Sequence, residues 1–290
     1  MTQSLNYGRS LKSCDGAPIA KPGAGLLEIQ SVAGESAVTS VWASSPLRIL
    51  TPYFRGQSVW AYLSSFGGGM VAGDEMSLTL NLGKGTRCFL TTQSSTKVYS
   101  NPTQRPCSQI LNATLASGSC LILAPDAVQA FADSTYSQSQ QFHLEPDSGL
   151  VLVDWLCSGR LARGERWAFS RFESRIEVFS NSERILLDSL LLDPSHGRLD
   201  SQHRLGRFNS LAVILILGEP LRETALRALE RARRYPVASR SPLLCSVSPV
   251  RGGALIRLAG ERVEEMTRQI RLWLDFVPAL LGDDPWARKW

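Results

Sequence analysis

Short segments in which apolar and polar residues alternate dominate the chain up to Leu217, and they constrain the fold more than any other feature. Residues 76–82 (MSLTLNL) alternate without error, and stretches rich in Gly, Pro, Asn and Ser separate them from similar segments. A period of two places successive side chains on opposite faces of a β-strand. We therefore expect strands here and at residues 87–93, 108–115, 120–125, 136–144, 150–159, 170–179 and 184–192.

Two segments are apolar on both faces of the expected strand, namely residues 150–153 (LVLV) and 211–217 (LAVILIL). Such strands are typical of sheets that are covered on both sides. We expect both to lie in the middle of a layered structure. The longer run is also far shorter than the roughly 20 residues that a membrane-spanning helix needs.

Helical periodicity is present only near the end of the chain, at residues 220–234 and 261–277. In each segment the apolar side chains recur on one helix face, and Pro220 suits a first helical position. Residues 243–250 and 253–260, between the two helices, are typical of strands. The sequence thus predicts a mostly β fold of many short strands with two C-terminal α-helices.

The 290 residues contain no linker rich enough in Pro, Gly or Ser to divide them into domains. We expect a single domain at residues 26–290 and a flexible or peripheral segment at residues 1–25, which carry no motif. That segment lacks the apolar stretch of a secretory signal, so a cytoplasmic location is expected. The net charge is +5, but no basic stripe with interleaved aromatic residues supports nucleic-acid binding.

The cysteines and histidines are scattered along the sequence. No CxxC pair and no HxH or HxxxH pair occurs, so a fixed, high-affinity metal site is weakly supported. In a reducing compartment, isolated cysteines of this kind are expected to be buried thiols. The six cysteines are Cys14, Cys88, Cys107, Cys120, Cys157 and Cys245.

A glycine-rich stretch at residues 66–74 (FGGGMVAGD) raises the possibility of a phosphate-binding loop. It lacks the GxxxxGK[ST] pattern of a P-loop, and it leads into a strand where a dinucleotide-binding loop leads into a helix. We therefore expect a tight turn between strands in which the glycines permit positive φ. Asp74 has two open interpretations, an Asx-turn in which it bonds its own downstream backbone or a carboxylate held in a packed polar site. The glycines are Gly67, Gly68, Gly69 and Gly73.

Asp154 lies in an otherwise apolar strand (LVLVDWL), where an unpaired charge would be costly. Arg160 and Glu165 follow closely in GRLARGE, and Lys97 and Tyr99 stand in a run of hydroxyl residues. These residues are consistent either with a buried ion-pair network or with a polar channel or docking surface. The sequence alone leaves both alternatives open.

Three motifs together resemble one known family. The first is the glycine loop followed by an alternating strand and TTQSSTKVYS, the second is LAPDAVQAFADSTYSQSQQFHL, and the third is DWLCSGRLARGERWAF. The family is that of the urease accessory proteins UreD, also called UreH. The resemblance covers roughly residues 40–195 and extends more loosely to GALIRLAGERVEEMTRQI near the end.

The resemblance implies a fold, a function and partners. The fold is an irregular, β-helix-like stack of strands with two helices. The function is non-enzymatic: such proteins join urease apoprotein to the partners UreF and UreG and help to insert two nickel ions at a carbamylated lysine. The resemblance implies no tightly bound cofactor, no nucleic acid and no membrane, only nickel in transit.

The resemblance also implies a water-filled passage for nickel. Nickel in transit needs oxygen or nitrogen ligands that hold it weakly, and carboxylates suit this better than thiolates. We therefore expect Asp74, Asp154 and Glu165 to serve as transient nickel ligands. Structural or interaction roles near them are expected for Gly67, Gly68, Gly69, Gly73, Thr92, Lys97, Tyr99 and Arg160.

Two other functions remain as alternatives. A carbohydrate-active hydrolase would use paired carboxylates, such as Asp74 with Asp154 or Glu165, although no aromatic-flanked acidic cluster and no GxSxG motif is present. A plain protein-binding β domain is the other. Trp273, Trp286 and Trp290 are candidates for a partner surface, although core packing is favoured for Trp273.

Overall fold

A computed structural model of the protein describes residues 21–52, 56–101, 103, 105–234, 238 and 240–287. Within these residues the chain forms seventeen strands and three α-helices. The strands are β1 (Ala24–Val32), β2 (Glu35–Ala43), β3 (Leu47–Leu50), β4 (Val59–Ser65), β5 (Glu75–Leu82), β6 (Arg87–Thr92), β7 (Thr96–Val98), β8 (Cys107–Leu115), β9 (Cys120–Leu123), β10 (Val128–Ala130), β11 (Thr135–Leu144), β12 (Gly149–Cys157), β13 (Arg171–Ser180), β14 (Glu183–Leu192), β15 (Ser210–Leu217), β16 (Leu243–Val250) and β17 (Gly253–Gly260). The helices are α1 (Arg222–Arg233), α2 (Val263–Trp273) and α3 (Val277–Leu281).

The strands form two sheets. The seven-stranded sheet has the order β14-β13-β11-β8-β5-β1-β2. The ten-stranded sheet has the order β16-β17-β15-β12-β9-β6-β4-β3, with β10 paired to β12 and β7 paired to β10. From β4 to β13 the chain passes back and forth between the two sheets, so sheet neighbours such as β5, β8, β11 and β13 are parallel. This stacking of successive coils confirms the β-helix-like fold that the resemblance implies and the mostly β content that the sequence predicts.

The main core lies between the two sheets. Alternate residues of β5, such as Leu78 and Leu80, are buried there, and Thr79 between them is exposed. The ten-stranded sheet is apolar on its other face as well, where Val151 and Ile214 contact a layer formed by the helices. The position in the middle of a layered structure that was expected for residues 150–153 and 211–217 is thus confirmed.

The helices differ in detail from the expectation. The predicted helix at residues 220–234 is present as α1, preceded by a 3₁₀ turn at Glu219–Leu221. The predicted helix at residues 261–277 is divided into α2 and α3. Pro278, the second residue of α3, has no backbone N–H to continue the hydrogen-bond ladder, which accounts for the break. In the part of the chain that the structure describes, no helix is both long and apolar enough to cross a membrane.

Three sequence-based expectations concern the ends of the chain. Strand β1 begins at Ala24, so the expected boundary at residue 25 falls inside a strand, while residues 1–20 and Trp290 lie outside the described residues. Trp273 is 4% exposed, which confirms core packing. Trp286 is partly buried and makes an edge-to-face contact with Phe89.

Candidate functional site

Three polar side chains form a row across the inner face of the seven-stranded sheet. Gln109 of β8, Gln138 of β11 and Ser174 of β13 are direct register partners on neighbouring parallel strands. Each occupies an inward position of the alternating pattern, and the next inward residue is Leu111 in β8, Gln140 in β11 and Ile176 in β13. We call these three residues the polar row.

Asp154 of β12 meets the polar row from the opposite sheet. Its Oδ1 accepts a hydrogen bond of 2.6 Å from Nε2 of Gln138, and its Oδ2 accepts one of 2.6 Å from the hydroxyl of Ser174. The Gln138 amide also donates to Ser174, over 2.8 Å. Both carboxylate oxygens are therefore satisfied by neutral donors, so the core holds a carboxylate without a charged partner bonded to it.

The environment of Asp154 favours its neutral form. Burial raises the pKa of this carboxyl above its usual value, the hydrogen bonds from Ser174 and Gln138 oppose the shift, and the charge of Asp188 adds to it. The hydroxyl of Tyr136 lies 3.0 Å from Oε1 of Gln109 and 3.2 Å from Oε1 of Gln138, which ties the network to the aromatic core.

On the ten-stranded sheet, Asp154 is the first member of a second row. Asp154 is in register with Val213 of β15. Val213 is in register with Arg257 of β17, and Arg257 is in register with Ser246 of β16. Arg257 donates a hydrogen bond of 2.5 Å to Oδ1 of Asp188, which comes from β14 of the other sheet. An ion pair thus joins the two sheets close to Asp154.

Three cavities lie in series around this network. A central cavity of about 40 Å³ is lined by Thr92, Gln109, Gln138 and Asp154. A second cavity of about 40 Å³ shares Thr92 and Gln109 with it and reaches Gly68 of the glycine loop. A groove of about 560 Å³ shares Asp154 with the central cavity and opens beside β14 and β17. Asp154 is therefore the lining residue that the central cavity and the groove have in common.

The groove is mostly apolar, with a few polar side chains. Its lining includes Leu190 and Leu211 together with Asp154, Asp188 and Arg257.

The glycine loop is a turn between strands that packs on β7. Gly67 and Gly68 have φ of 79° and 71°, and strand β5 follows without an intervening helix. A Cβ atom on Gly69 would lie 2.6 Å from the ring of Tyr99 and 2.7 Å from the carbonyl oxygen of Lys97. Glycine is therefore required at position 69 by close approach, and the loop has no helix N-terminus to hold a phosphate group.

Most of the other predicted polar residues form a separate cluster near the glycine loop. The ring of Tyr99 makes an edge-to-face contact with Phe131, and the guanidinium of Arg160 lies 4.2 Å from the centre of the Phe131 ring. Arg160 forms a bidentate ion pair with Glu165, whose carboxylate also accepts a hydrogen bond from the N–H of Ala132. This hydrogen-bonded pairing with Arg160 lowers the pKa of Glu165.

Asp74 closes a turn at the end of the glycine loop. Its carboxylate accepts a hydrogen bond of 2.8 Å from the N–H of Val71, so the bond runs upstream, where the turn interpretation expected a downstream partner. Gly73 beside it has a φ of 85° and lies against the guanidinium of Arg105. Neither Asp74 nor Glu165 lines the three cavities.

The structure therefore brings together only part of the predicted set. Thr92 and Asp154 share the central cavity, whereas Tyr99, Arg160 and Glu165 belong to the cluster on Phe131. Sequence reasoning missed the polar row, Asp188 and Arg257. A signal for the polar row was available, because Gln109, Gln138 and Ser174 interrupt the apolar phase of three alternating strands.

The central cavity is lined by oxygen donors that suit a cation. Among the described residues, no group of three or more His, Cys, Asp and Glu side chains is placed to bind a metal ion. The cavity instead offers two carboxylates, Asp126 and Asp154, with neutral amide and hydroxyl oxygens, the donor types that hard or borderline divalent cations accept. Cys88, Cys107, Cys120 and Cys157 are buried free thiols, as expected, and Cys245 is partly buried.

Comparison with known proteins gives a consistent result. A family model described as UreD urease accessory protein matches residues 21–290. Urease accessory protein UreD of Sorangium cellulosum (strain So ce56) is 45% identical over 271 residues, covering 93% of this chain and 85% of that protein. Urease accessory protein D of Oryza sativa subsp. japonica is 31% identical over 300 residues, covering 94% and 96%. Urease accessory protein D of Arabidopsis thaliana is 31% identical over 292 residues, covering 91% and 99%.

Proposed function

The chain belongs to the UreD family of urease accessory proteins, and from this membership we propose that it binds urease apoprotein together with UreF and UreG and assists nickel delivery to the urease active site. In this proposal the protein is a non-enzymatic scaffold of the cytoplasm. Nickel is its cargo and is not a resident cofactor.

We propose further that nickel crosses the protein through the three cavities in series. The observation that carries this proposal is the position of Asp154, a half-buried carboxylate shared by the central cavity and the groove. The groups that donate hydrogen bonds to Asp154 are neutral. A cation that displaces the carboxyl proton is therefore attracted by the full negative charge of the carboxylate. Carboxylate, amide and hydroxyl oxygens hold a divalent cation less tightly than thiolates do, which suits an ion that must be released.

The other predicted carboxylates take different roles in this proposal. Asp74 holds the turn of the glycine loop through its bond to Val71, and Glu165 holds Arg160 over Phe131. Both therefore shape the surface near the glycine-loop end of the cavities. Direct contact with nickel is assigned to Asp154 alone.

The contacts do not favour the hydrolase alternative. Such an enzyme needs one carboxyl that is protonated near neutral pH beside a second, ionised one. Glu165, with its lowered pKa, is committed to Arg160, and Asp74 is committed to a backbone N–H. The neighbour that acts on the charge of Asp154 is Asp188, which is paired with Arg257.

The test is urease activation in cells that express urease apoprotein with all its accessory proteins. We expect Asp154→Leu, and less severely Asp154→Asn, to lower both urease activity and the nickel content of purified urease severalfold, while the chain still co-purifies with its partners. Asp147→Asn is the matched control, because Asp147 is exposed on a turn with a φ of 61° that asparagine also adopts. Normal nickel content in both Asp154 variants would contradict the passage, and normal activation without the chain would contradict the accessory function.

A further inference from the structure

An ion pair crosses the groove between the two sheets. The guanidinium of Arg257 in β17 contacts the carboxylate of Asp188 in β14 over 2.5 Å, and the Asp188 side chain is only 17% exposed. Both residues line the groove, as does Asp154. The pair therefore lies on the same wall that a cation would meet on its way to or from Asp154.

Charged side chains of both signs line this wall of the groove. It carries two carboxylates, Asp154 and Asp188, and one guanidinium, Arg257. Arg257 is bonded to Asp188, whereas the bonds to Asp154 come from neutral groups. Both carboxylates line the same groove. Without the guanidinium, the groove would contain two neighbouring carboxylates facing a cation.

Two carboxylates bind a divalent cation far more tightly than one, because each adds Coulomb attraction at short range. A guanidinium bonded to one of them removes that attraction and adds repulsion. A passage must avoid such a tight site, since a trapped ion is not delivered. Arg257 is the positive side chain of the groove wall that can prevent it.

We infer that Arg257 is a positioning residue that occupies Asp188 and so keeps the groove from trapping divalent cations. This inference rests on the proposed passage and assigns the control of its affinity to one ion pair. The pair links elements 69 residues apart in sequence, so it exists only in the folded protein.

The test measures Ni²⁺ binding to the full chain by isothermal titration calorimetry, with Mn²⁺ and electron paramagnetic resonance as a second cation and readout. We expect Arg257→Met and Arg257→Gln to bind Ni²⁺ at least about tenfold more tightly than the wild type, as loss of one close charge implies. Arg257→Lys should restore the weak binding, and so should Arg257→Met combined with Asp188→Asn.

Arg251→Met is the matched control. Arg251, in the turn between β16 and β17, forms another ion pair with β14, to Glu183 over 2.5 Å, and neither residue lines the groove. It should leave Ni²⁺ affinity unchanged. Unchanged affinity in the folded Arg257→Met and Arg257→Gln variants, or equal tightening in Arg251→Met, would overturn the inference.

A further variant covers the case in which the uncharged Arg257 substitutions fail to fold. Asp188→Asn should not tighten Ni²⁺ binding, because it leaves the guanidinium of Arg257 in the groove without its acidic partner. Tighter Ni²⁺ binding in Asp188→Asn would overturn the inference, since the guanidinium would then not oppose the cation. These titrations use the isolated chain, so their outcome is independent of whether the chain supports urease activation.

Discussion

Gln138 of the seven-stranded sheet donates a hydrogen bond of 2.6 Å to Asp154 of the ten-stranded sheet, between sheets whose facing side chains are mostly apolar. The contact places a titratable group where its ionisation is unfavourable. An apolar pair at these positions would pack the sheets together without that penalty. The carboxylate thus weakens the fold at neutral pH, and its effect on stability can be measured.

Asp154→Asn should change how stability depends on pH. Below a pH of about 3.8, the usual Asp pKa, both the folded and the unfolded wild type are protonated at this position. Above it the unfolded chain loses the proton while the folded protein, with its raised pKa, keeps it. The wild type should therefore lose free energy of unfolding relative to Asp154→Asn, by up to about 1.4 kcal/mol per pH unit, until the folded carboxyl also ionises.

Urea denaturation of both proteins between pH 4 and pH 8 measures this difference. Asp147→Asn, at an exposed turn, should show no such trend. A difference between Asp154→Asn and wild type that stays constant across the range would show that Asp154 is not perturbed.

Gly69→Ala should destabilise the protein by about 1–3 kcal/mol, because the added methyl group would overlap the ring of Tyr99 and the carbonyl oxygen of Lys97. Gly56→Ala is the control, since nothing lies within 4 Å of a Cβ atom there, and it should change stability by less than about 0.5 kcal/mol. Chemical denaturation of the two variants makes the comparison. Equal stability would mean that the glycine loop does not pack on β7 as described.

Glu165→Gln should lower the free energy of unfolding at pH 7 by about 1 kcal/mol or less, because the ion pair with Arg160 is partly exposed. The pairing lowers the pKa of Glu165, so its stabilisation is present above the usual pKa of about 4.5 and is lost as the pH falls through the folded pKa. The difference from wild type should thus shrink on acidification. Glu35→Gln, at an exposed glutamate of β2, is the control and should leave the free energy of unfolding at pH 7 unchanged. A Glu165 effect that grows toward low pH would contradict the assignment.

Thiol labelling should distinguish the cysteines. In a Cys14→Ser background, which leaves only the cysteines that the structure describes, we expect no more than one thiol to react with an aromatic disulfide reagent in the native protein at pH 8. That thiol is Cys245, and its reaction should be slow because burial raises its pKa to about 11. Burial raises the pKa of Cys120 to about 12, and Cys88, Cys107 and Cys157 are buried as well.

All five thiols should react once the protein is unfolded in urea. Adding Cys245→Ser should abolish the native reaction. Rapid labelling of two or more thiols in the folded protein would mean that the space between the sheets is open to the reagent.

The strands could be predicted wherever one face of the strand is buried and the other is exposed to solvent. Strand β5 was expected at residues 76–82 and extends over Glu75–Leu82, because each apolar residue of the segment enters the core. Strands β7 and β10 have three residues each, too few for a period to be recognised. They are stabilised mainly by pairing with each other and with β12, which sequence alone does not reveal.

The candidate site could be predicted only in part. Asp154 was recognisable because a charge within an apolar strand is rare. Its partners were not, since Gln138 and Ser174 become neighbours only through the register of β11 with β13. The pairing of Asp188 with Arg257 depends on how the two sheets are stacked, and this stacking cannot be predicted from the local sequence around either residue.

The helical layer has a consequence for synthesis on the ribosome. A nascent chain that has reached Leu217 has completed the strands of the stack up to β15 but has no helix to cover them. A broad apolar surface then faces solvent until the last seventy or so residues emerge, and it includes Trp60, Phe89, Ile122 and Val151. If translation stops in this interval, the released fragment exposes this apolar surface and is prone to aggregate. The C-terminal quarter of the chain, which carries the helices, is therefore needed to cover it.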